Sequence, residues 1–420
     1  MDCILKNATV YTNGKFVSSD LMVLKGQVFL SKESTSLSLP VFDLKDKIII
    51  PGLVDVHTHL REPGFCYKET IKSGTSAGAK SGYNSIFTMP NLNPVPDSKE
   101  NLEVQLNAIN KDAVINVYPF GSITVSQNGQ TLSDFDGMNE FVKGFSDDGR
   151  GVQDVQVMQS AMLKAKQLDS VIVAHCEDNS LLNGGYIHDG EYARENGHKG
   201  IPSSSEYLPI ERDLELVEKI KVKYHVCHVS AKESVDAIRK AKAKNVNVTA
   251  ETAPHYLVLD DSMLKDSGNF KMNPPIRAKE DKDALINGII DGTIDMIATD
   301  HAPHSAEEKS KGLKSSLNGI VGLETAFPVM YTYLVKKGII TLEKLVELMS
   351  INPAKRFGLD LEIEEGKTAN FAVFDLNKEY TVREEDFLSK GKSSPFIGYK
   401  VCGECIMNFV NGKLVYVKNN

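Results

Sequence analysis

The residues best suited to chemistry in this chain are histidines that stand where apolar runs end. His57 and His59 end the run 48–59, and because strand side chains alternate between faces, residues at i and i+2 share one face. His175, His228 and Asp300 end three later runs. Imidazole and carboxylate together favour zinc or a similar divalent ion over calcium or magnesium. The pattern therefore predicts a metal site at these strand ends.

The elements that must position these residues alternate along the middle of the chain, with short apolar strands followed by amphipathic helical stretches. The predicted strands are 48–59, 84–90, 114–121, 141–147, 170–177, 223–230, 246–253 and 295–302. Eight such units predict a closed (β/α)8 barrel, in which catalytic groups gather at the carboxyl ends of the strands. The alternative is an open doubly wound sheet, but no G-x-G-x-x-G follows the first strand.

Both chain ends differ from this middle part and are predicted to be rich in β-structure. Residues 1 to about 50 contain alternating runs separated by Asn13-Gly14 and Gly26, and the last sixty residues repeat the pattern, with Asn411-Gly412 as a hairpin signal. The sequence thus indicates an α/β protein with β-rich termini.

Composition excludes several classes of function. The 420 residues carry 48 Lys plus Arg against 56 Asp plus Glu, a net charge of −8, which argues against nucleic acid or an anionic membrane as partner. No apolar run approaches the roughly 18 residues of a membrane span, and the first residues lack a secretory pattern. Six scattered cysteines fit a reducing compartment, so we expect a cytoplasmic protein; the single C-x-x-C, Cys402 and Cys405, lacks the second pair that a structural zinc needs.

An ordered set of sequence blocks resembles the dihydroorotase family, of the bacterial monofunctional type, within the amidohydrolase superfamily. The blocks are DVHTHLREPG (55–64), TMPNLNP (88–94), FSDDG (145–149), HCED (175–178), CHVS (227–230), MNPPIR (272–277) and TDHAPH (299–304). The resemblance implies a TIM-like barrel over 51–357 and a small composite β-sandwich domain built from 1–50 and 358–420. It also implies reversible ring opening of L-dihydroorotate to N-carbamoyl-L-aspartate in pyrimidine (UMP) synthesis.

The resemblance further implies a centre of two Zn²⁺ ions. His57, His59 and Asp300 would hold the first ion, His175 and His228 the second, and Asp148 would bridge them. Many relatives bridge with a carbamylated lysine, for which Lys143 is the candidate here; FSDDG favours Asp148. Asp300 would also act as the catalytic general base and then as the general acid.

Dihydroorotate carries a carboxylate on its ring, so an enzyme that selects it requires a group that binds this carboxylate. Arg61 follows His59 by two residues and can present a bidentate guanidinium, and Asn91 and His304 would complete the clamp. The resemblance adds contacts to the ring amides from Asn273 and from the backbone around Asn318 and Gly319. His188, His198 and His225 are interpreted as surface or core residues, whereas His255 and His301 are expected at most to support the ligands.

Two rival functions remain open from the sequence. One is an allantoinase or hydantoinase type of cyclic amidohydrolase, whose substrates lack the carboxylate. The other is a non-catalytic partner of aspartate transcarbamoylase, although the chain keeps all six expected ligand positions. Aspartate transcarbamoylase and a second copy of the chain are the protein partners considered, beside the small-molecule substrate.

Overall fold

The computed structural model describes residues 1–30 and 38–418. Helices and strands alternate over most of this part, as the sequence predicts. The strands are β1 (Cys3–Thr12), β2 (Lys15–Leu24), β3 (Gln27–Phe29), β4 (Val41–Asp43), β5 (Ile48–Pro51), β6 (Leu53–Thr58), β7 (Tyr83–Thr88), β8 (Asn116–Pro119), β9 (Val171–Ala174), β10 (Ile187–His188), β11 (Gly200–Ile201), β12 (Lys223–Val226), β13 (Val248–Thr252), β14 (Met296–Ile297), β15 (Phe371–Thr381), β16 (Lys400–Val410) and β17 (Lys413–Val417).

The helices lie mainly between β6 and β15. They are α1 (Ile71–Lys80), α2 (Lys99–Asp112), α3 (Phe135–Met138), α4 (Val155–Gln167), α5 (Glu191–Glu195), α6 (Ser204–Ile220), α7 (Lys232–Ala243), α8 (Pro254–Val258), α9 (Lys279–Asp291), α10 (Ala306–Lys309), α11 (Gly312–Ser315), α12 (Ala326–Met330), α13 (Leu342–Val346) and α14 (Asn352–Phe357). None of the described helices is long and apolar enough to cross a membrane.

The two chain ends build one sheet of eight strands. Its order is β17-β16-β15-β5-β1-β2-β3, with β4 paired to β1, so the antiparallel pair β15 and β5 joins the C-terminal strands to the N-terminal ones. Asn411 and Gly412 take φ values of 51° and 76° in the tight turn between β16 and β17, which confirms the predicted hairpin. A separate apolar cluster that includes Leu5, Val23 and Phe409 packs this sheet.

The middle of the chain pairs its strands in parallel. One sheet runs β6-β7-β8 and another β9-β12-β13-β14, and all of these neighbours are parallel. Phe145 links the two sheets through bridges to Gly121 and Ile172, and Thr58 bridges to His301 beyond β14. The strands are continuous apolar runs, such as VIVA in β9, because both of their faces are buried.

Two predicted strands differ from the observed ones. The run 48–59 is split at Gly52 into β5, which joins the composite sheet, and β6, which pairs with β7. A Cβ at Gly52 would lie 1.7 Å from the Asn84 side-chain oxygen, so the crossing from one sheet to the other requires glycine. Of the predicted strand 141–147, only Phe145 forms β-bridges.

Local signals explain where several helices begin and end. Asp154 caps α4 by accepting hydrogen bonds from the Gln156 and Val157 N–H groups, and α9 ends at Gly292 in the left-handed conformation. Each helix then returns the chain to the start of the next parallel strand. The residues just after the strands are thereby collected at one end of the parallel sheets.

Candidate metal centre

Six side chains from five different strand ends meet in one buried cluster. His57 lies in β6 and His59 just after it, His175 directly follows β9, and His228 follows β12 by two residues. Asp148 lies three residues beyond Phe145, and Asp300 three residues beyond β14. All six are less than 9% exposed. The structure thus brings together every residue that the sequence predicts as a metal ligand.

Asp148 lies at the centre of this cluster. One of its carboxylate oxygens, Oδ1, is 3.3 Å from His57 Nε2 and 3.4 Å from both His175 Nδ1 and His228 Nε2. The other oxygen, Oδ2, is 3.4 Å from His59 Nε2. A carboxylate with imidazoles on both oxygens has the arrangement that a bridging ligand requires.

Lys143, the alternative bridging residue, lies elsewhere. Its ammonium stacks on the Tyr118 ring, 5.3 Å from the ring centroid, and it precedes Phe145 in the chain whereas Asp148 follows it. The geometry therefore favours Asp148 over a modified Lys143.

Asp300 lies beside His57 and His59 in the cluster. Its Oδ1 oxygen is 3.1 Å from His59 Nε2 and 3.5 Å from His57 Nε2. On the other side, His175 Nδ1 and His228 Nε2 are 2.8 Å apart. His57, His59 and Asp300 form one group able to hold a cation, and His57, Asp148 and His228 form another.

Unsatisfied polar atoms show that the cluster is suited to bind a metal ion. His57 Nε2 and Asp148 Oδ1 are fully buried and have no hydrogen-bond partner. Buried polar atoms are normally paired, so orphaned acceptors that face one another indicate a missing ligand. Nitrogen and carboxylate donors at this spacing fit a divalent transition ion.

The charges in the cluster favour a bound cation. Burial alone raises the pKa of Asp148, but His57, His175 and His228 outweigh burial and hold that pKa well below its usual value. Burial lowers the pKa of His175, yet Asp148 and Glu177 raise it to about 10. The carboxylates therefore create a potential that attracts positive charge.

Glu251 is a functional residue that the sequence analysis missed. His57 Nδ1 donates a hydrogen bond to Glu251 at 2.6 Å, and His225 Nε2 donates to its other oxygen at 3.1 Å. This bond fixes the tautomer of His57 and leaves Nε2 free for a metal. Cys227 is also near His57, but burial raises the pKa of its thiol far above the usual value, so it stays protonated.

Arg61 lies on the wall of the same cavity and has no acidic partner. Its Nε donates to the Pro303 carbonyl at 3.2 Å, and no carboxylate in the described part of the chain forms an ion pair with it. Burial lowers the pKa of the guanidinium to about 10, so it remains charged at neutral pH. A buried cation without a counter-charge is suited to bind an anion.

The remaining predicted substrate contacts line this cavity of about 200 Å³ together with the metal cluster, namely Asn91, Asn273, His304, Asn318 and Gly319. Asn91 also accepts a hydrogen bond from His59 Nδ1 at 2.9 Å, which aims His59 Nε2 at the cluster. His304 Nε2 donates to the Asn318 carbonyl at 2.7 Å, and its Nδ1 accepts from Lys68 at 3.1 Å. Burial, with Arg61 and Lys68 nearby, lowers the pKa of His304 to about 3, so the ring is neutral.

Backbone strain also concentrates at this site. Arg61, His228 and Asp300 adopt positive φ values of 60°, 34° and 49°, although none is glycine. Each such residue costs on the order of 1 to 3 kcal/mol and persists only where the surroundings enforce it. A cavity of about 510 Å³ between α1 and strands β15–β17 is lined by none of these residues.

Parallel strands with histidines and aspartates at their carboxyl ends define a metal-dependent hydrolase of the amidohydrolase class. Comparison with known proteins specifies the family. Residues 46–234 match the family model described as Dihydro-orotase-like. The chain is 49% identical to the dihydroorotase of Bacillus cereus (strain AH820), over 100% of this chain and 99% of that protein, and equally to that of Bacillus thuringiensis (strain Al Hakam). The chain belongs to the dihydroorotase family.

Solved structures agree on the fold. The L-hydantoinase (dihydropyrimidinase) of Arthrobacter aurescens superposes with a TM-score of 0.89 at 25% identity, covering 100% of this chain and 97% of the other. The dihydropyrimidinase of Brevibacillus agri gives 0.86 at 23% identity, covering 99% and 95%. The chain as a whole therefore has the architecture of these cyclic-amide hydrolases.

Proposed function

We propose that this protein hydrolyses the cyclic amide of L-dihydroorotate reversibly to N-carbamoyl-L-aspartate, a step of pyrimidine synthesis. The observation that carries this proposal is the buried, unpaired Arg61 guanidinium on the wall of the cavity that also contains the His and Asp cluster. A ring carboxylate would supply the missing counter-charge. Hydantoin and allantoin have no such carboxylate, so neither could form an ion pair with Arg61.

We infer that the cluster holds two Zn²⁺ ions, with His57, His59 and Asp300 on the first, His175 and His228 on the second, and Asp148 on both. When bound, the metal supplies Lewis acidity and lowers the pKa of water towards about 7. Three buried atoms that lack a hydrogen-bond partner within the described residues, His57 Nε2, Asp148 Oδ1 and His175 Nε2, support this assignment.

Asp300 is proposed to move the proton. His57 and His59 overcome the effect of burial and lower the pKa of the Asp300 carboxyl, so it is ionised and can accept a proton from the attacking water. It then returns this proton to the ring nitrogen that leaves. Arg61 and Asn91 hold the carboxylate, and Asn273 with the backbone of Asn318 and Gly319 contacts the ring amides.

The finer architecture is also part of the proposal. The Phe145 and Thr58 bridges support a closed (β/α)8 barrel over 51–357, and the eight-stranded sheet supports a small β-sandwich domain from 1–50 and 358–420. All six cysteines are free, which supports a reducing, cytoplasmic location. Aspartate transcarbamoylase or a second copy of the chain remain proposed protein partners.

An assay of the purified, zinc-loaded protein with dihydroorotate, hydantoin and allantoin tests the function. We expect ring opening of dihydroorotate, and ring closure of carbamoyl aspartate that becomes more favourable as the pH falls because closure consumes a proton. Turnover of hydantoin or allantoin at a rate comparable to dihydroorotate would refute the substrate assignment. No turnover of any of the three would favour the non-catalytic alternative.

A further inference from the structure

Lys309 is a buried lysine that forms no ion pair. It lies at the end of α10, is 6% exposed, and its ammonium donates to three backbone carbonyls. The acceptors are Lys271 O at 2.9 Å, Leu317 O at 2.8 Å and Gly319 O at 2.6 Å. An ammonium has three protons, so all of its donors are used.

These three carbonyls belong to two separate loops that both line the cavity of the metal cluster. Lys271 lies two residues before Asn273, whereas Leu317 and Gly319 flank Asn318. The Gly319 N–H also donates to the Lys271 carbonyl at 3.0 Å. The Lys309 ammonium and the Gly319 N–H therefore both join the loop of Asn273 to the loop of Asn318.

The direction of the Asn318 amide follows from this bonding. In a trans peptide the C=O and the next N–H point in opposite directions. Because the Leu317 carbonyl points to Lys309, the Asn318 N–H points away from Lys309. The Asn318 carbonyl is held in turn by His304 Nε2 at 2.7 Å. Both peptide groups of Asn318 are thus fixed from outside the loop.

We propose that Lys309 is a positioning residue for substrate recognition, which holds the backbone of 317–319 so that its amide groups meet the ring amides of the substrate. The proposal rests on the proposed function for the identity of the substrate. Lys309 itself does not line the cavity and belongs to neither group of the metal cluster, so its effect passes through the loop. Loss of its ammonium leaves the Leu317 and Gly319 carbonyls without their donor and leaves the Lys271 carbonyl with the Gly319 N–H alone, which loosens the loop.

The test compares Lys309→Met with two control variants. Lys314→Met removes an exposed lysine from the same segment. Arg356→Met removes a partly buried cation that donates to the Tyr224 carbonyl at the opposite end of β12 from His228, and so controls for the loss of a carbonyl-bonded cation away from the loop. Metal content, thermal unfolding, steady-state kinetics and amide hydrogen exchange are measured on each metal-loaded protein.

We expect Lys309→Met to raise KM for dihydroorotate at least about 10-fold while kcat and metal content change little, because the lost interaction contributes to binding. Exchange of the Gly319 amide should become faster in this variant and not in the controls. Lys309→Gln, which keeps two donors, should give intermediate values and serves if Lys309→Met does not fold.

Unchanged KM together with unchanged exchange at 317–320 would overturn the proposal. So would an equal rise of KM in Arg356→Met, since the effect would then follow from lower stability alone. The exchange measurement does not depend on the substrate. If dihydroorotate is not turned over, faster exchange at Gly319 still supports the role of Lys309 in holding the loop, and unchanged exchange refutes it.

Discussion

Two buried polar clusters lie side by side at the carboxyl end of β12, and they differ in how completely their atoms are paired. His228 belongs to the metal cluster, whereas Ser230, two residues on, belongs to a cluster with Glu206 and Arg277. Glu206 accepts from the Ser230 and Ala231 N–H groups at 3.0 Å, from the Ser230 and Ser234 hydroxyls, and from Arg277 Nη2 at 3.2 Å. No buried side-chain atom of Glu206, Ser230 or Arg277 lacks a partner, whereas His57 and Asp148 each have one that does.

This difference distinguishes a buried charged cluster that stabilises the fold from a buried charged cluster that binds a ligand. A network whose hydrogen bonds are complete has no remaining capacity for a ligand and stabilises the loops. A network with orphaned atoms costs free energy until a ligand completes it. We therefore expect substitutions in the first cluster to change binding and catalysis, and substitutions in the second to change stability.

The largest effect is expected for Asp148→Ala. Removing the central carboxylate takes away the atoms that contact four imidazoles, so metal content and activity should both be lost. Lys143→Ala should keep both and cost only the cation–π contact with Tyr118, about 0.5 to 1 kcal/mol of stability. Elemental analysis and the ring-opening assay measure the two quantities. The opposite pattern would move the bridge to Lys143.

Glu206→Gln tests the role of the fully paired cluster of Glu206, Ser230 and Arg277. It leaves the buried Arg277 guanidinium without its carboxylate, so the free energy of unfolding should fall by about 3 to 5 kcal/mol, while the folded protein still binds metal. Urea denaturation of the metal-free protein measures the change, and elemental analysis of the loaded protein provides the control. Loss of metal from a variant that is still folded would contradict the distinction between the clusters.

The same variant gives a pH dependence of known sign. Burial raises the pKa of Glu206, but Arg277 and the hydrogen bonds from Ser230 and Ala231 outweigh burial and lower it. A carboxyl whose folded pKa is depressed stabilises the protein above its unfolded pKa of about 4.3, and this contribution is lost as the pH falls further. The gap in stability between wild type and Glu206→Gln should therefore be smaller near pH 4 than at pH 7.

Arg61→Met tests the difference between Arg61, which forms no ion pair in the described part of the chain, and Arg277, which is paired with Glu206. We expect a loss of about 2 to 5 kcal/mol in dihydroorotate binding, because the substrate carboxylate loses its only buried cation partner. Arg150→Met is the matched control, since Arg150 is exposed on the wall of the adjoining cavity. Unchanged kinetics in Arg61→Met would refute the carboxylate site.

Asp300→Asn separates metal binding from proton transfer within the cluster. The amide oxygen can still coordinate weakly, but the side chain can no longer accept a proton, so kcat should fall roughly 100-fold or more. Metal content must be measured on the same sample. A variant that retains both its metal and near-normal turnover would assign proton transfer to another group.

The sequence predicted five of the six cluster residues because each of the five follows from a local pattern. Apolar runs locate the strands, the period of two places His57 and His59 on one face, and strand ends in a parallel α/β protein converge. The resemblance to a known family supplied Asp148. The predicted strands at 48–59 and 141–147 were wrong in their extent. At both places the neighbouring strands decide which sheet a segment joins, and the composition of the segment does not.

Only the tertiary structure brought Glu251 into contact with His57 and placed Lys309 against the loops that line the cavity. Glu251 is 194 residues from His57 and occupies an ordinary strand position, and Lys309 ends the charged run Glu307–Lys309, which from the sequence alone resembles a solvated surface. Their roles depend on which backbone and side-chain atoms fold against them. The amino-acid sequence alone thus determined where the reactive groups lie along the strands, because their positions depend on local periodicity. Contacts between distant segments decided which residues orient these groups, and no local pattern encodes such contacts.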